Sequence, residues 1–139
     1  MKKSVSILSI GIVMASMTSL SISDKFKDVV KKETPVISKR TKATYEEKKE
    51  NKRIAKEFAW AGYGWRNGQW DCISKLFTAE SRFDHFADNP KSTAFGIGQV
   101  LGEKSHVPEI QILRAYNYIE HRYITPCKAW SHHLRKGYY

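Results

Sequence analysis

The 139-residue chain has little cysteine and few acidic residues. Its two cysteines cannot build a multi-cysteine zinc ribbon or a densely cross-linked miniprotein, which leaves one disulfide, two free thiols or a mixed metal site. The 14 Asp and Glu are outnumbered by 24 Lys and Arg, and the net charge of +10 favours an anionic partner such as nucleic acid, anionic lipid or cell wall. No sequence repeat is present, and the length predicts one domain rather than two.

The N-terminus has the pattern of a secretory signal over residues 1–23. Lys2 and Lys3 precede an uncharged, largely apolar stretch, and Ser21 and Ser23 supply the small residues that a signal peptidase requires. The stretch is also near the lower length limit for spanning a bilayer, so an uncleaved anchor is the alternative. Both interpretations predict a secreted or envelope-associated protein. No cysteine stands at the end of the stretch, so we expect no lipid anchor there.

Residues 24–50 are predicted to form a basic linker. Residues 24–53 contain eleven Lys or Arg and six Asp or Glu, but only two aromatic residues. Such a segment buries too little apolar surface to offset its ordering entropy, so we expect it to be largely disordered or partly helical. Its charge would hold the protein near the anionic cell envelope. It lacks the interleaved aromatics or recognition helix typical of nucleic-acid binding, so we expect no nucleic-acid partner.

The folded part is predicted over residues 51–139, because fifteen of the seventeen aromatic residues follow Arg53. Apolar spacing, prolines at helix starts and glycines at helix ends predict four helices, over 51–63, 69–81, 108–123 and 126–137. The inward residues are predicted to be Ile54, Phe58 and Ala61 on the first helix and Ile112, Leu113, Tyr116 and Ile119 on the third. Turn formers dominate 84–93, and 95–99 is predicted to be a short strand or a bend. The fold class is therefore mostly α, as one small domain that we expect to be a monomer.

One acidic residue stands on an apolar helix face. Ile73, Leu76, Phe77 and Glu80 have the i, i+3, i+4, i+7 spacing of one stripe. An ionised carboxylate there is costly, so Glu80 should have a partner or a raised pKa. A raised pKa suits a general acid in glycosidic cleavage. The alternative is that Glu80 frays into solvent at the helix end or pairs with Arg82.

The order of several short motifs resembles a known family. Glu80-Ser81, a loop, and then Gly96-Ile97-Gly98-Gln99 are similar to the Glu-Ser to Gly-x-x-Gln pattern of the lysozyme-like lytic transglycosylases. Further motifs resemble the C-terminal domain of secreted aggregation-promoting-factor-like members, and they are Tyr63-Gly64-Trp65, Gln69-Trp70-Asp71-Cys72, Tyr118-Ile119, Arg122-Tyr123, Pro126-Cys127, Ala129-Trp130-Ser131-His132 and Gly137-Tyr138-Tyr139. The resemblance covers residues 51–139.

The resemblance implies a goose-lysozyme-like (SLT-like) α domain that cuts the β-1,4 bond between N-acetylmuramic acid and N-acetylglucosamine in peptidoglycan. Glu80 would first donate a proton to the leaving oxygen and then remove one from the 6-hydroxyl of the sugar. That second step closes a 1,6-anhydro ring without water and without an enzyme nucleophile. No cofactor is implied. A wall-binding module on the same fold, without turnover, is the alternative function.

The resemblance also implies substrate-binding roles for Ser81, Gly96, Gln99 and Tyr118. Glycines in the 96–99 segment would let the backbone approach a saccharide closely. Tyr118 is similar to a tyrosine that faces the catalytic acid in related enzymes. Tyr116 is expected to be a packing residue instead.

A glycosidase with two carboxylates would need a second one roughly 5 to 10 Å from the first. Asp84 and Asp88 are near Glu80 in sequence, but their turn-rich surroundings favour loop capping. The chain departs from the family pattern at Phe95, where tyrosine is expected, and in the histidine-rich segment 131–135. These departures concern ligand contacts more than the reaction.

Cys72 and Cys127 would pair in an oxidising compartment and tie the helix of Glu80 to the last helix. The rival interpretation joins Cys127 to His132 and His133 in a zinc site, with His121 as an additional candidate ligand. Their Cys-x4-His-His spacing matches no standard ligand pattern, so we predict the disulfide and no metal.

Overall fold

A computed structural model describes residues 40–139, so the predicted signal over 1–23 and residues 24–39 of the predicted linker lie outside the described residues. The described part is mostly α, as the sequence predicts, with one short antiparallel hairpin in which Ala94 pairs with Leu101 and Phe95 with Val100. The elements in chain order are α1 (Tyr45–Gly62), α2 (Gly68–Glu80), β1 (Ala94–Phe95), β2 (Val100–Leu101), α3 (Pro108–Tyr123) and α4 (Pro126–Lys136).

Helix α1 begins earlier than the apolar spacing predicts. Thr44 caps it: the Thr44 hydroxyl accepts from the Glu47 amide at 3.2 Å, and the Glu47 carboxylate accepts from the Thr44 amide at 2.7 Å. This reciprocal capping box satisfies two amides that a helix N-terminus otherwise leaves free. The helix therefore runs through residue 51, where the sequence analysis places the start of the folded part.

The buried face of α1 is also different from the predicted one. Ala55 and Ala59 are fully buried, whereas Ile54 and Phe58 pack at the edge of the core and Ala61 is exposed. Small residues at the centre of the stripe let α1 lie close to α3, the helix with which it makes most of its contacts.

Helices α3 and α4 begin at their prolines, where the missing N–H costs no helical hydrogen bond. All four inward residues predicted for α3, namely Ile112, Leu113, Tyr116 and Ile119, are buried. The hydroxyl of Tyr116 donates to the carbonyl of Ala55 at 2.7 Å, and burial holds its pKa well above the ordinary value. The predicted packing role of Tyr116 is therefore confirmed.

The predicted disulfide joins Cys72 of α2 to Cys127 of α4 and closes a sequence separation of 55 residues. Closing a loop of that length stabilises a fold by about 4 kcal/mol in the chain-entropy account. The same two helices make the most extensive helix–helix contact of the described residues. The bond therefore fixes the end of α4 relative to the helix that carries Glu80.

A buried amide on α3 organises the irregular chain between α2 and α3. The Gln111 carbonyl oxygen accepts from the Ile97 amide at 2.9 Å, and its NH₂ donates to the carbonyls of His85 at 2.9 Å and Ser105 at 2.6 Å. A Cβ at Gly96, whose φ is +77°, would collide with this carboxamide. Glycine at position 96 is therefore required by packing inside the protein.

Candidate active site

Glu80 is the last residue of α2 and ends its apolar stripe. Ile73, Leu76 and Phe77 are fully buried, and the side chain of Glu80 is 15% exposed. Glu80 therefore does not fray into solvent, although it stands at a helix end. The neighbouring Arg82 is exposed, and its backbone has a φ of +54°. Arg82 forms none of the ion pairs found among residues 40–139.

The partner of Glu80 is His133 of α4, which the sequence analysis considers only as a ligand of the rival zinc site. Its Nδ1 lies 3.0 Å from the Oε1 of Glu80, and both atoms are buried. The two atoms are in ion-pair contact without the alignment of a good hydrogen bond. The ring of Trp130 stacks on the imidazole with centroids 5.4 Å apart and fixes its orientation. The sequence contains a signal for this position of His133. Pro126, Ala129 and His133 have the i, i+3, i+7 spacing of one helix face, and Pro126 and Ala129 are buried.

Burial raises the pKa of Glu80, and the nearby imidazole of His133 offsets only part of that effect. The carboxyl group therefore keeps its proton to a higher pH than an exposed glutamate does. A proton donor that remains loaded toward neutral pH is what general acid catalysis needs. Among the predicted site residues, Glu80 is the one whose environment alters its acidity in the useful direction.

The side chain of Tyr139 packs against the glycine segment and lies within electrostatic range of Glu80. The Tyr139 hydroxyl donates to the Gly98 carbonyl at 2.6 Å, and its pKa is held well above the ordinary value by burial first and then by the charge of Glu80. A Cβ at Gly98 would lie 2.5 Å from the Cβ of Ala115 and 2.9 Å from this hydroxyl. Glycine at position 98 therefore allows the last residue to close against the segment.

Ser81 and Gln99 lie beside Glu80 and the 96–99 segment, but their side chains bond to backbone. The Ser81 hydroxyl donates to the Ile97 carbonyl at 2.7 Å, which holds the segment against the end of α2. The Gln99 amide donates to the carbonyls of Ala87 at 3.0 Å and Gly96 at 2.9 Å. The structure brings the two motifs of the predicted pattern together. Contact of either side chain with a saccharide stays a prediction.

Tyr118 is half-buried, and its ring packs against that of Tyr139. Its ring meets the ring of Tyr139 edge to face with centroids 5.6 Å apart, and the guanidinium of Arg122 lies 5.8 Å from its centroid. The three tyrosines 118, 123 and 139 form one aromatic cluster at the ends of α3 and the chain. A substrate contact by Tyr118 stays a prediction.

The two other candidate carboxylates are not placed like Glu80. Asp84 is buried and paired with Lys48, whose Nζ lies 3.0 Å from it. Asp88 is exposed, pairs through its backbone with Phe95 and, like Asp84, lines the groove between residues 40–42 and the loop after α2. Their surroundings match the loop roles that the sequence favours.

The rival zinc site lacks its thiolate, because Cys127 is in the disulfide. His133 faces Glu80, while the ring of His132 packs on Tyr123 and Tyr138. Within residues 40–139 no three His, Cys, Asp or Glu side chains are grouped so that they could hold a metal ion. None of the helices within residues 40–139 is both long enough and apolar enough to span a bilayer.

Three surface grooves have volumes of about 490, 430 and 480 Å³. They lie between the end of α3 and α4, beside β2, and between residues 40–42 and the loop after α2. Glu80 lines none of the three. Comparison of the chain with protein-family models, with curated proteins and with solved structures finds no match.

Proposed function

We propose that this protein is a peptidoglycan-cleaving enzyme, a lytic transglycosylase or lysozyme, with Glu80 as its general acid and then its base. The supporting observation is the state of that carboxyl group, which is 15% exposed, has a raised pKa and ends a rigid helix next to the 96–99 segment. The resemblance of residues 51–139 to the lysozyme-like lytic transglycosylases supplies the substrate.

In this mechanism the Glu80 carboxyl donates its proton to the bridging oxygen between the two sugars as the glycosidic bond breaks. The carboxylate that remains then takes the proton of the sugar's own 6-hydroxyl, whose oxygen attacks C1 and closes the 1,6-anhydro ring. His133 Nδ1, 3.0 Å from Oε1, orients the carboxyl group and stabilises its anion between the two steps. This reaction needs only one carboxylate. That requirement agrees with the structure around Asp84, which is in an ion pair with Lys48.

The test is digestion of purified sacculi by the full chain, with soluble muropeptides as the readout. The proposal expects fragments, and their mass separates the two reactions, because an anhydro product is lighter by one water than a hydrolysis product. No soluble fragment from a folded chain would contradict the proposal.

Glu80→Gln is the informative variant, since it keeps the shape of the side chain and removes the proton. General acid catalysis typically contributes about 10² to 10⁴ in rate, so we expect a loss of that size. Glu120→Gln, at an exposed position of α3, is the matched control and should cleave like the native chain. Circular dichroism of both variants checks that they fold.

A wall-binding module without turnover is the second candidate, and two observations favour it. The Glu80 carboxyl already has a side-chain partner in His133, and the donors of Ser81 and Gln99 are bonded within the protein. This module would sediment with sacculi and release nothing, and Glu80→Gln would leave its binding unchanged.

The proposed location is outside the cytoplasm, either secreted or at the cell envelope. The basic linker would bind anionic polymers there, and the protein would act as a monomer. The Cys72–Cys127 disulfide is compatible with an oxidising compartment. Fractionation of the producing cells, with the disulfide state read by thiol labelling, tests this location.

A further inference from the structure

A groove of about 490 Å³ lies between the end of α3 and α4, apart from Glu80. Three of its lining side chains are cations, namely Arg122, Lys128 and Arg135, and no carboxylate is among the lining residues. None of these three cations takes part in an ion pair within the described part of the chain. Positive charge that is concentrated in a concavity and not neutralised attracts anions.

Two of the cations are held in place by neutral neighbours. The guanidinium of Arg122 lies 5.8 Å from the ring centroid of Tyr118 and 5.7 Å from that of Tyr123. Nη1 of Arg135 donates to the hydroxyl of Ser131 at 2.6 Å. A guanidinium that is already positioned loses less side-chain entropy when it binds an anion.

Two polar atoms of groove residues are buried without a hydrogen-bond partner, and they are the Tyr123 hydroxyl and Nε2 of His132. The Tyr123 hydroxyl is close to Arg122 and to the Tyr118 hydroxyl, but it makes no well-aligned hydrogen bond with either. The charges that act on His132 are those of Arg135, Arg122 and Lys136, all of them cations. Unsatisfied buried donors are costly, and a ligand with several acceptor oxygens would satisfy them.

We propose that this groove binds a phosphate group. A phosphate offers more acceptor oxygens than a carboxylate and carries more charge as a monoester, which suits three cations and two further donors. The groups that meet it are Arg122, Lys128 and Arg135 as cations, with the Tyr123 hydroxyl and the His132 imidazole as further donors. The phosphate belongs to a free or polymer-borne phosphate ester or to a lipid headgroup, and this binding does not depend on wall cleavage.

The test is calorimetric titration of the full chain with glycerol 3-phosphate and with inorganic phosphate, and with acetate at matched ionic strength. The double variant Lys128→Gln/Arg135→Gln should bind both phosphates about ten-fold more weakly, which corresponds to about 0.7 kcal/mol for each charge. The matched control is Lys75→Gln/Lys91→Gln, which removes two exposed cations outside the groove. It should change affinity less than about two-fold, since screened distant charges contribute little.

Tyr123→Phe is the second variant, because it removes a donor without changing the net charge. It should weaken glycerol 3-phosphate binding while the control variant does not. Equal effects of the two double variants, or acetate bound as tightly as phosphate, would overturn the proposal.

Vesicles identify the source of the phosphate. Binding of the native chain to phosphatidylglycerol vesicles but not to phosphatidylcholine vesicles, lost in the groove double variant, assigns a lipid headgroup. Vesicle binding that survives in that variant, with glycerol 3-phosphate affinity lost, assigns a free or polymer-borne phosphate ester.

Discussion

Glu80 and Asp84 are four residues apart, yet their surroundings differ in the number of donors. The side chains are 15% and 8% exposed. Oδ1 of Asp84 accepts from the amides of Ala43 at 3.0 Å and Phe86 at 2.9 Å, and its Oδ2 pairs with Lys48 at 3.0 Å. Among the described residues, His133 is the one ion-pair or hydrogen-bonding partner found for the Glu80 carboxyl.

This difference sets the acidity of the two groups. Burial by itself raises the pKa of both carboxyls. For Asp84, the effects of Lys48 and of the two backbone amides outweigh the effect of burial, so the pKa of Asp84 is lowered. At Glu80 burial outweighs His133, so that pKa is raised. A buried carboxylate with several fixed donors stabilises the fold as an anion, whereas a buried carboxyl with a single weakly aligned partner keeps its proton to a higher pH than an exposed one does.

The largest expected effect comes from separating the helices that create the Glu80 site. Removing the disulfide with Cys72→Ser/Cys127→Ser should lower the free energy of unfolding by about 4 kcal/mol, measured by urea denaturation. The contact between Glu80 and His133 depends on the α2–α4 packing that this bond fixes, while the partners of Asp84 lie elsewhere. A loss below about 1 kcal/mol would show that packing alone holds the two helices together.

A smaller effect separates the two carboxylates directly. Asp84→Asn should lower the free energy of unfolding by about 2 to 3 kcal/mol at neutral pH. The substitution leaves Lys48 without its carboxylate partner, and it places a side-chain amide next to the backbone N–H donors that the carboxylate accepted from. Glu80→Gln should change it by less than about 1 kcal/mol. Urea denaturation of the two variants under identical conditions checks the comparison. Equal losses would refute it.

The pH dependence of stability should have opposite signs at the two sites. The lowered pKa of Asp84 gives stabilisation that is present above its ordinary value, near pH 4, and is lost as the pH falls through its folded pKa. The raised pKa of Glu80 gives stabilisation that is present below the ordinary glutamate value and is lost as the pH rises through its folded pKa. Unfolding curves of each variant and the native chain between about pH 3 and 7 measure both slopes.

Local signals in the sequence predicted much of the helical frame. Three predicted helix boundaries agree with the structure, those at Pro108, Pro126 and Gly137. Each of them depends on the backbone chemistry of a single residue. The capping-box spacing of Thr44 and Glu47 is a local signal for the start of α1 that the apolar spacing does not carry. The disulfide was predicted from the presence of two cysteines and from the oxidising compartment that the N-terminal pattern leads us to expect.

The site itself depends on long-range contacts, which spacing along the chain does not encode. His133 meets Glu80 because α4 packs on α2, and Tyr139 meets Gly98 because the chain end folds back. The bonding of Ser81 and Gln99 to backbone was likewise not predictable, because motif resemblance identifies residues without identifying their partners. Only the acidity expected of Glu80 could be argued in advance, from its place on an apolar stripe.

The smallest expected effect is that of the histidine. His133→Gln removes an imidazole that lowers the pKa of Glu80, so that pKa should rise further while the pKa of Asp84 stays unchanged. Carbon-detected NMR titration of the side-chain carboxyls measures both. His121→Gln, at an exposed position, is the control. A lower pKa for Glu80 in the His133 variant would mean that the imidazole favours its protonated form.

The titration of the Glu80 carboxyl in the native full chain tests the central claim most directly, with Asp84 observed in the same spectra. We predict that Glu80 titrates above the ordinary value of 4.5 for glutamate and that Asp84 titrates below the 3.8 of aspartate. A Glu80 carboxyl that ionises at or below 4.5 would be an ordinary anion at a helix end, and the proposed proton donor would be contradicted.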